Sequence, residues 1–224
     1  MKNFSFIICI TLLLSACKTE KKETVPKTEV ILTTAEKIAN AHGFENWKNV
    51  SQINFTFNVD RDSSHFERSW TWKPKTDEVT LISETDTISY NRKFIDSTSL
   101  NVDKGFINDK YWILAPFQLI WDKGTTFSES IKEMAPISKV EMNKITLTYP
   151  NEGGYTPGDA YDFYFTDDYL IKEWIFRQGN AKEPSLITSW ENYQNFNGLL
   201  IALEHIKPEG NWKLYFTDVN LITK

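Results

Sequence analysis

Residues 153–177, GGYTPGDAYDFYFTDDYLIKEWIFR, constrain the fold more than any other stretch. Tyr161, Phe163 and Phe165 alternate with Asp162, Tyr164 and Thr166, so one face of a strand is apolar. Asp167-Asp168 marks a turn. In the return strand Leu170, Lys172, Trp174 and Phe176 share one face, and Ile171, Glu173, Ile175 and Arg177 take the other. This is the pattern of a β-hairpin, and the same aromatic-rich alternation recurs on both sides of it. Ile53, Phe55, Phe57 and Val59 alternate strictly, and Phe66, Arg68, Trp70 and Trp72 fall on one face after a turn at residues 61–64. The chain is therefore expected to build an antiparallel sheet around this hairpin.

The remaining segments fit that frame. Thr33-Thr34 followed by Ala35, Ile38, Ala39 and His42 predicts a short amphipathic helix, with threonine as N-cap and Gly43 closing it. Trp47 lies in a second short turn. Short strands are expected at 79–82 and 87–90, and a weak one at 125–130. The pattern changes at residues 101–121, NVDKGFINDKYWILAPFQLIW, where apolar residues such as Trp112, Phe117 and Ile120 sit in runs and at helical spacings. Pro116 disfavours a continuous helix, so two short helices are expected to meet near it and lie against the sheet. Strands resume with Val140, Met142, Ile145, Leu147 and Tyr149, which imply an irregularity at Asn143-Lys144. Strands at 186–193, 199–206 and 212–222 complete roughly ten or eleven antiparallel strands in a single domain from residue 33 to 224.

The first residues, MKNFSFIICITLLLSAC, have a short basic start and an apolar run too short to span a bilayer, as in a secretory signal. Leu14-Ser15-Ala16-Cys17 resembles the bacterial lipobox, in which the cysteine is acylated and becomes the mature N-terminus. Residues 1–16 are then a lipoprotein signal peptide, Cys17 the lipidation site, and residues 17–32 a polar tether. The chain has two cysteines; with Cys9 in the signal and Cys17 lipidated, thiol catalysis and disulfides are excluded from the mature domain. A net charge of −5 argues against a nucleic-acid partner.

Catalytic signatures are missing. His42, His65 and His205 are far apart and form no metal-ligand spacing. There is no nucleophile elbow, and Gly153-Gly154 with Pro157-Gly158 precedes no helix that could hold a phosphate; these residues are expected to shape the start of a strand. No cofactor is implied, and the expectation is a non-enzymatic protein. Arg68 among aromatics is read as a cation–π or carboxylate partner, or as a charge at the rim of a pocket.

Several motifs carry a resemblance: R-x-W-x-W-x-P at 68–74, F-I-N-D-x-Y-W at 106–112, P-F-x-L-x-W-D at 116–122, T-P-G-D-x-Y at 156–161 and E-W-x-F-R at 173–177. With the lipobox, they resemble an uncharacterised group of Bacteroidetes outer-membrane lipoproteins, over nearly the whole mature chain. More distantly, the strand–helix–strand layout is similar to lipoprotein-localisation carriers of the LolA/LolB type. That resemblance implies an incompletely closed antiparallel β-barrel, with a short N-terminal helix and a mid-chain helical segment covering the concave face, and a cavity that receives acyl chains. The expected lining is Phe57, Trp70, Trp72, Trp112, Phe117, Phe163, Trp174 and Phe176, with Arg68 at the rim. The expected protein is monomeric, anchored by lipid to the outer membrane, on the periplasmic side, and binds a lipid or other hydrophobic ligand. Rival expectations are a glycan-binding module with a solvent-facing aromatic platform, a hydrolase with paired carboxylates in a cleft, and a scaffold subunit of an envelope complex with an exposed apolar patch.

Overall fold

The computed structural model describes residues 31–152 and 156–224. The expected signal peptide, the lipidation site Cys17, nearly all of the tether and the Gly153-Gly154 turn lie outside the described residues. The chain from Leu32 to Lys224 forms one compact unit.

The strands are antiparallel throughout. The first run of antiparallel strands is β1 (Val50–Arg61), β2 (Ser64–Lys73), β3 (Glu78–Ile82) and β4 (Thr87–Asn91). The second comprises β5 (Thr126–Phe127), β6 (Ile131–Met134), β7 (Glu141–Thr148), β8 (Ala160–Phe165), β9 (Ile171–Arg177) and β10 (Leu186–Ser189). The chain closes with β11 (Glu191–Phe196), β12 (Leu199–Ile206) and β13 (Trp212–Thr223). One sheet runs β11-β12-β13-β1-β2-β3-β4, and the other runs β10-β9-β8-β7-β5 with β6 also on β7. The two are joined at a corner. β10 and β11 are separated only by Trp190, whose N–H donates to the Lys172 carbonyl at 2.7 Å. The Ser189 hydroxyl bonds the Ile206 backbone N–H at 3.2 Å across the same corner. The result is a continuous antiparallel wrap left open between β4 and β5–β6, as an incompletely closed barrel. Bulges between β1 and β13 and between β8 and β9 give it curvature.

Two helices fill the hollow. Helix α1 (Thr34–Ala41) starts with a capping box: the Glu36 N–H donates to Thr33 Oγ1 at 3.2 Å, and the Thr33 N–H donates to the Glu36 carboxylate at 2.7 Å. It ends at His42, and Gly43 follows at φ +84°, where an added Cβ would come within 1.9 Å of the Gly198 carbonyl oxygen. Only glycine lets the helix end pass this close to the β11–β12 turn. Helix α2 (Leu100–Trp121) lies across the concave face, and all residues from Tyr111 to Leu119 are buried. Its backbone leaves helical geometry at Leu114 (φ −127°, ψ 23°), two residues before Pro116. The proline removes a backbone donor and crowds the preceding turn, so the helix bends where its apolar surface must follow the curve of the sheet.

The mid-chain segment is, as expected, two helical stretches that meet at a kink at Leu114, two residues before Pro116. Several other expectations need correction. There are thirteen strands among the described residues, because β6 exists and because 186–193 is split at Trp190. Strand β7 has no irregularity at Asn143-Lys144: the pairing with β8 is continuous. Met142 faces outward into a small second cluster with Ala135, Tyr164 and Ile175, while Ile145, Leu147 and Tyr149 face inward. In the hairpin, Tyr164 pairs with Glu173 but Phe165 pairs with Ile171, so Lys172 is a bulge residue. The bulge turns Ile171 into the core, opposite to its expected face.

Candidate functional site

The site is the space between the concave face and α2. Its first wall is β1–β2. Arg68 on β2 reaches Asp109 on α2 through two N–H groups, Nε at 2.6 Å and Nη2 at 2.7 Å, and the Trp70 indole N–H donates to the same carboxylate at 2.7 Å. Asn108 adds a bond at 3.0 Å. Burial pushes the Asp109 carboxyl up from the ordinary carboxylate range, and the Arg68 guanidinium with the Asn108 and Trp70 donors pulls against it. The guanidinium also lies over the rings of Phe57, Phe66 and Trp70. A Cβ at Gly105 would meet Arg68 Nη1 at 2.8 Å, so glycine there lets α2 settle onto the arginine.

Further along α2, Lys110 sits 5.6 Å from the centre of the Trp72 ring and 5.7 Å from that of Trp121. Desolvation by these walls lowers its pKa to about 8. Trp47, Phe117 and Trp121 form one aromatic cluster with Trp72.

The second wall is β8–β10 with β12. Phe163 pairs with Trp174, which pairs with Thr188; Tyr161 pairs with Phe176, which pairs with Leu186. These two rows face inward under Trp112 of α2, whose ring centre lies 4.6 Å from that of Trp174 and 5.2 Å from that of His205. A cleft of about 180 Å³ opens here, lined by Asn108, Trp112, Thr156, Tyr161, Trp174, Phe176 and Leu186. A second, more open groove of about 480 Å³ runs between the start of α1, Leu119-Ile120 of α2 and residues 127–130.

The expected lining residues are thus distributed. Phe57, Trp70, Trp72, Trp112, Phe117, Phe163 and Trp174 belong to one continuous buried core, and Phe176 packs against it, partly buried. Trp112, Trp174 and Phe176 meet at the cleft; the other five aromatics pack away from it. Arg68 is held by Asp109. Sequence reasoning missed Tyr161, Leu186, Asn108 and Thr156 as cleft residues, and the buried group Thr188, Trp190 and His205. Tyr161 and Leu186 could have been found from strand register, since both lie in one row with Phe176. The histidines are separate: His42 bonds Ile38 and neighbours Tyr193, His65 pairs with Asp60 and Glu67 at the surface, and His205 lies among tryptophans.

The arrangement is an aromatic-walled cleft beside α2. No protein-family model matches this sequence, and no curated protein matches it. Among solved structures, the chain is similar to a LolA superfamily protein from Nitrosomonas europaea, with a TM-score of 0.51 and 11% identity over 86% of this chain and 96% of that one. It also aligns with a DUF1329 family protein from Desulfovibrio piger, with a TM-score of 0.46 and 10% identity over 84% of this chain and 91% of that one. The fold is LolA-like.

Proposed function

We propose that this protein is a lipid-anchored carrier or receptor that holds a lipid or another hydrophobic molecule between its half-barrel and α2. The observation that carries the reading is the aromatic concave face roofed by one kinked helix, with the cleft at Trp112, Trp174 and Phe176 opening along the helix edge. The LolA-like fold supports it. The anchor is Cys17, the membrane is the bacterial outer membrane on its periplasmic side, and the protein belongs with the Bacteroidetes lipoproteins whose motifs it resembles. The chemistry is binding, without catalysis. A small movement of α2 away from β9–β10 widens the cleft and exchanges Trp112 contacts for ligand contacts.

Native mass spectrometry of the full chain, purified from a bacterial envelope, tests this. The expected result is a co-purifying lipid mass that is lost in Phe176→Glu, a partly buried position where a charge can reach water without breaking the core. A clean apo mass that stays unchanged on adding phospholipid or acylated peptide would overturn the reading.

One surface favours the scaffold alternative. Phe94, Ile95 and Leu100, between β4 and the start of α2, are exposed, Phe94 at 80%. Co-purification of one stoichiometric envelope protein that is lost on Phe94→Ser, with no lipid bound, would favour that alternative.

A further inference from the structure

At the corner where the two sheets join, Thr188 Oγ1, Trp174 Nε1 and Trp190 Nε1 are inward-facing polar atoms with no hydrogen-bond partner, and beside them neither nitrogen of His205 makes a well-formed bond, its one polar neighbour being the Ser189 backbone. All four residues are buried, Thr188 and His205 completely. They are contiguous. Thr188 pairs with Trp174 across β10–β9, the rings of Trp174 and Trp190 are 5.5 Å apart, and those of Trp190 and His205 are 4.5 Å apart. A single orphaned polar group in a core is a tolerable defect. Several in one place, next to a cleft, are unusual, because each unmade bond costs stability and native interiors satisfy nearly all of them.

Their position relative to the cleft is specific. Leu186, Phe176 and Trp174 line the cleft, and Thr188 is the next inward residue after Leu186 on β10. Trp112 is the wall between: it touches the cleft on one side and His205 on the other. We infer that Thr188, Trp174, Trp190 and His205 form the polar end of the ligand cavity, reached when Trp112 turns aside, and that this end takes the carbonyl oxygen of a neutral acyl ester or amide. The inference rests on the carrier reading and gives it a ligand class.

The donor inventory selects that chemistry. Two indole N–H groups can only donate, the hydroxyl can do either, and an imidazole contributes one donor when neutral. A carbonyl oxygen with two lone pairs suits such a set. An ionised carboxylate does not, because no cation lies in the cluster and burial keeps His205 neutral, with its pKa lowered to about 3 and only the nearby Ser189 backbone acting against that. The rest of the cleft is mainly aromatic and apolar, with Asn108 and Thr156 also in its lining, and its Trp112, Phe176 and Leu186 surfaces suit the attached acyl chain.

The test uses the purified full chain with its tryptophans labelled by nitrogen-15, titrated with methyl laurate, dodecane and laurate. The expected result is methyl laurate binding at least about tenfold more tightly than dodecane, with laurate weaker than the ester. The indole protons of Trp174 and Trp190, assigned with Trp→Phe variants, should move downfield with the ester alone. Thr188→Val keeps the shape and removes the hydroxyl, and His205→Phe removes both ring nitrogens; each should pull the ester-to-dodecane ratio towards one while dodecane still binds. Equal binding of ester and dodecane with unshifted indole protons overturns the inference and leaves the carrier reading standing. Cross-peaks from the indole protons to a long-lived water, unchanged by ligand, also overturn it. Binding of none of the three removes the carrier reading as well.

Discussion

Asp109 and Trp112 sit one turn apart on α2 but press on walls from different sheets, and the groups around them treat buried polarity differently. Around Asp109 the polar groups converge: two N–H groups of Arg68, the Trp70 indole and Asn108 all reach one carboxylate, while the indole nitrogen of Trp72 on the same wall has no partner. Around Trp112 the polar atoms of Thr188, Trp174 and Trp190 have no partners, and His205 has no more than the nearby Ser189 backbone. Both regions bury tryptophan in the same core, so hydrophobicity does not separate them. The difference is one of completeness. The first region is a finished structural joint that fixes α2 to β2. The second has the composition of an interior and the unmet donors of a binding site.

The joint should give the largest effect when broken. Arg68→Ala leaves a carboxylate with no exposed side-chain surface and without its counter-charge, and the expected loss is about 3–5 kcal/mol in urea unfolding. Adding Asp109→Asn to that variant should recover part of the loss, because the orphaned charge is then gone. A loss under about 1 kcal/mol would mean the pair behaves like a screened surface bridge, and the contrast between the walls would fail.

Acid sharpens the comparison through two buried histidines. His42 is held neutral down to about 4 by desolvation, although its Nδ1 donates to the Ile38 carbonyl at 2.8 Å; His205, fully buried and with only the Ser189 backbone acting against this, is held neutral to about 3. In both, the unfolded chain takes its proton near 6.5 and the folded protein does so only at the lower value. The unfolded state therefore binds more protons between those values, and stability falls as pH drops below 6.5. Each histidine contributes a slope of up to about 1.4 kcal/mol per pH unit in its window. His205→Phe should remove about 2–3 kcal/mol of the loss between pH 7 and 4.5, measured by urea unfolding at both pH values. An unchanged slope in that variant would show that His205 is not the neutral, dry group described.

These features were legible in the sequence to different degrees. The alternation in β1, β2, β8 and β9 announced an antiparallel sheet, because a strand half buried on one face must alternate. The capping box of α1 was half visible as Thr33. The bulge at Lys172 was not, since nothing in IKEWIFR says that Ile171 must turn inward; the pairing with Phe165 decides it. Asp109 was invisible as a core group. A carboxylate in a helix is ordinarily solvated, and only the fold brings Arg68 and Trp70 to it from about forty residues away. The corner at Trp190 was hidden too, because ITSWENYQ has no glycine or proline to mark a break, and the change of sheet is a tertiary event. The aromatics expected to line a cavity are inward residues of the core, and which three meet at the cleft depends on the position of α2.

The smallest effect is also the most discriminating. Thr146→Val and Thr188→Val are the same chemical change in the same sheet, Thr146 on its outer face and Thr188 on its inner one. Thr146 Oγ1 donates to Asp162 at 2.6 Å, a carboxylate also held by Arg177, whereas Thr188 Oγ1 bonds nothing. Thr146→Val should cost about 1–2 kcal/mol, the worth of a hydrogen bond to a charged group. Thr188→Val should be neutral or stabilise the ligand-free protein by a few tenths to about 1 kcal/mol, because it removes a buried hydroxyl that has no partner. If the two substitutions cost the same, Thr188 already has a partner in solution and the second wall is as complete as the first. If they differ as expected, saturating methyl laurate should reverse the sign at Thr188 alone. The stabilisation that a ligand confers scales with its affinity, and only the wild-type hydroxyl has a bond to gain. A defect of packing has no reason to improve when an ester is added, so that reversal separates an unfinished core from a site that its ligand completes.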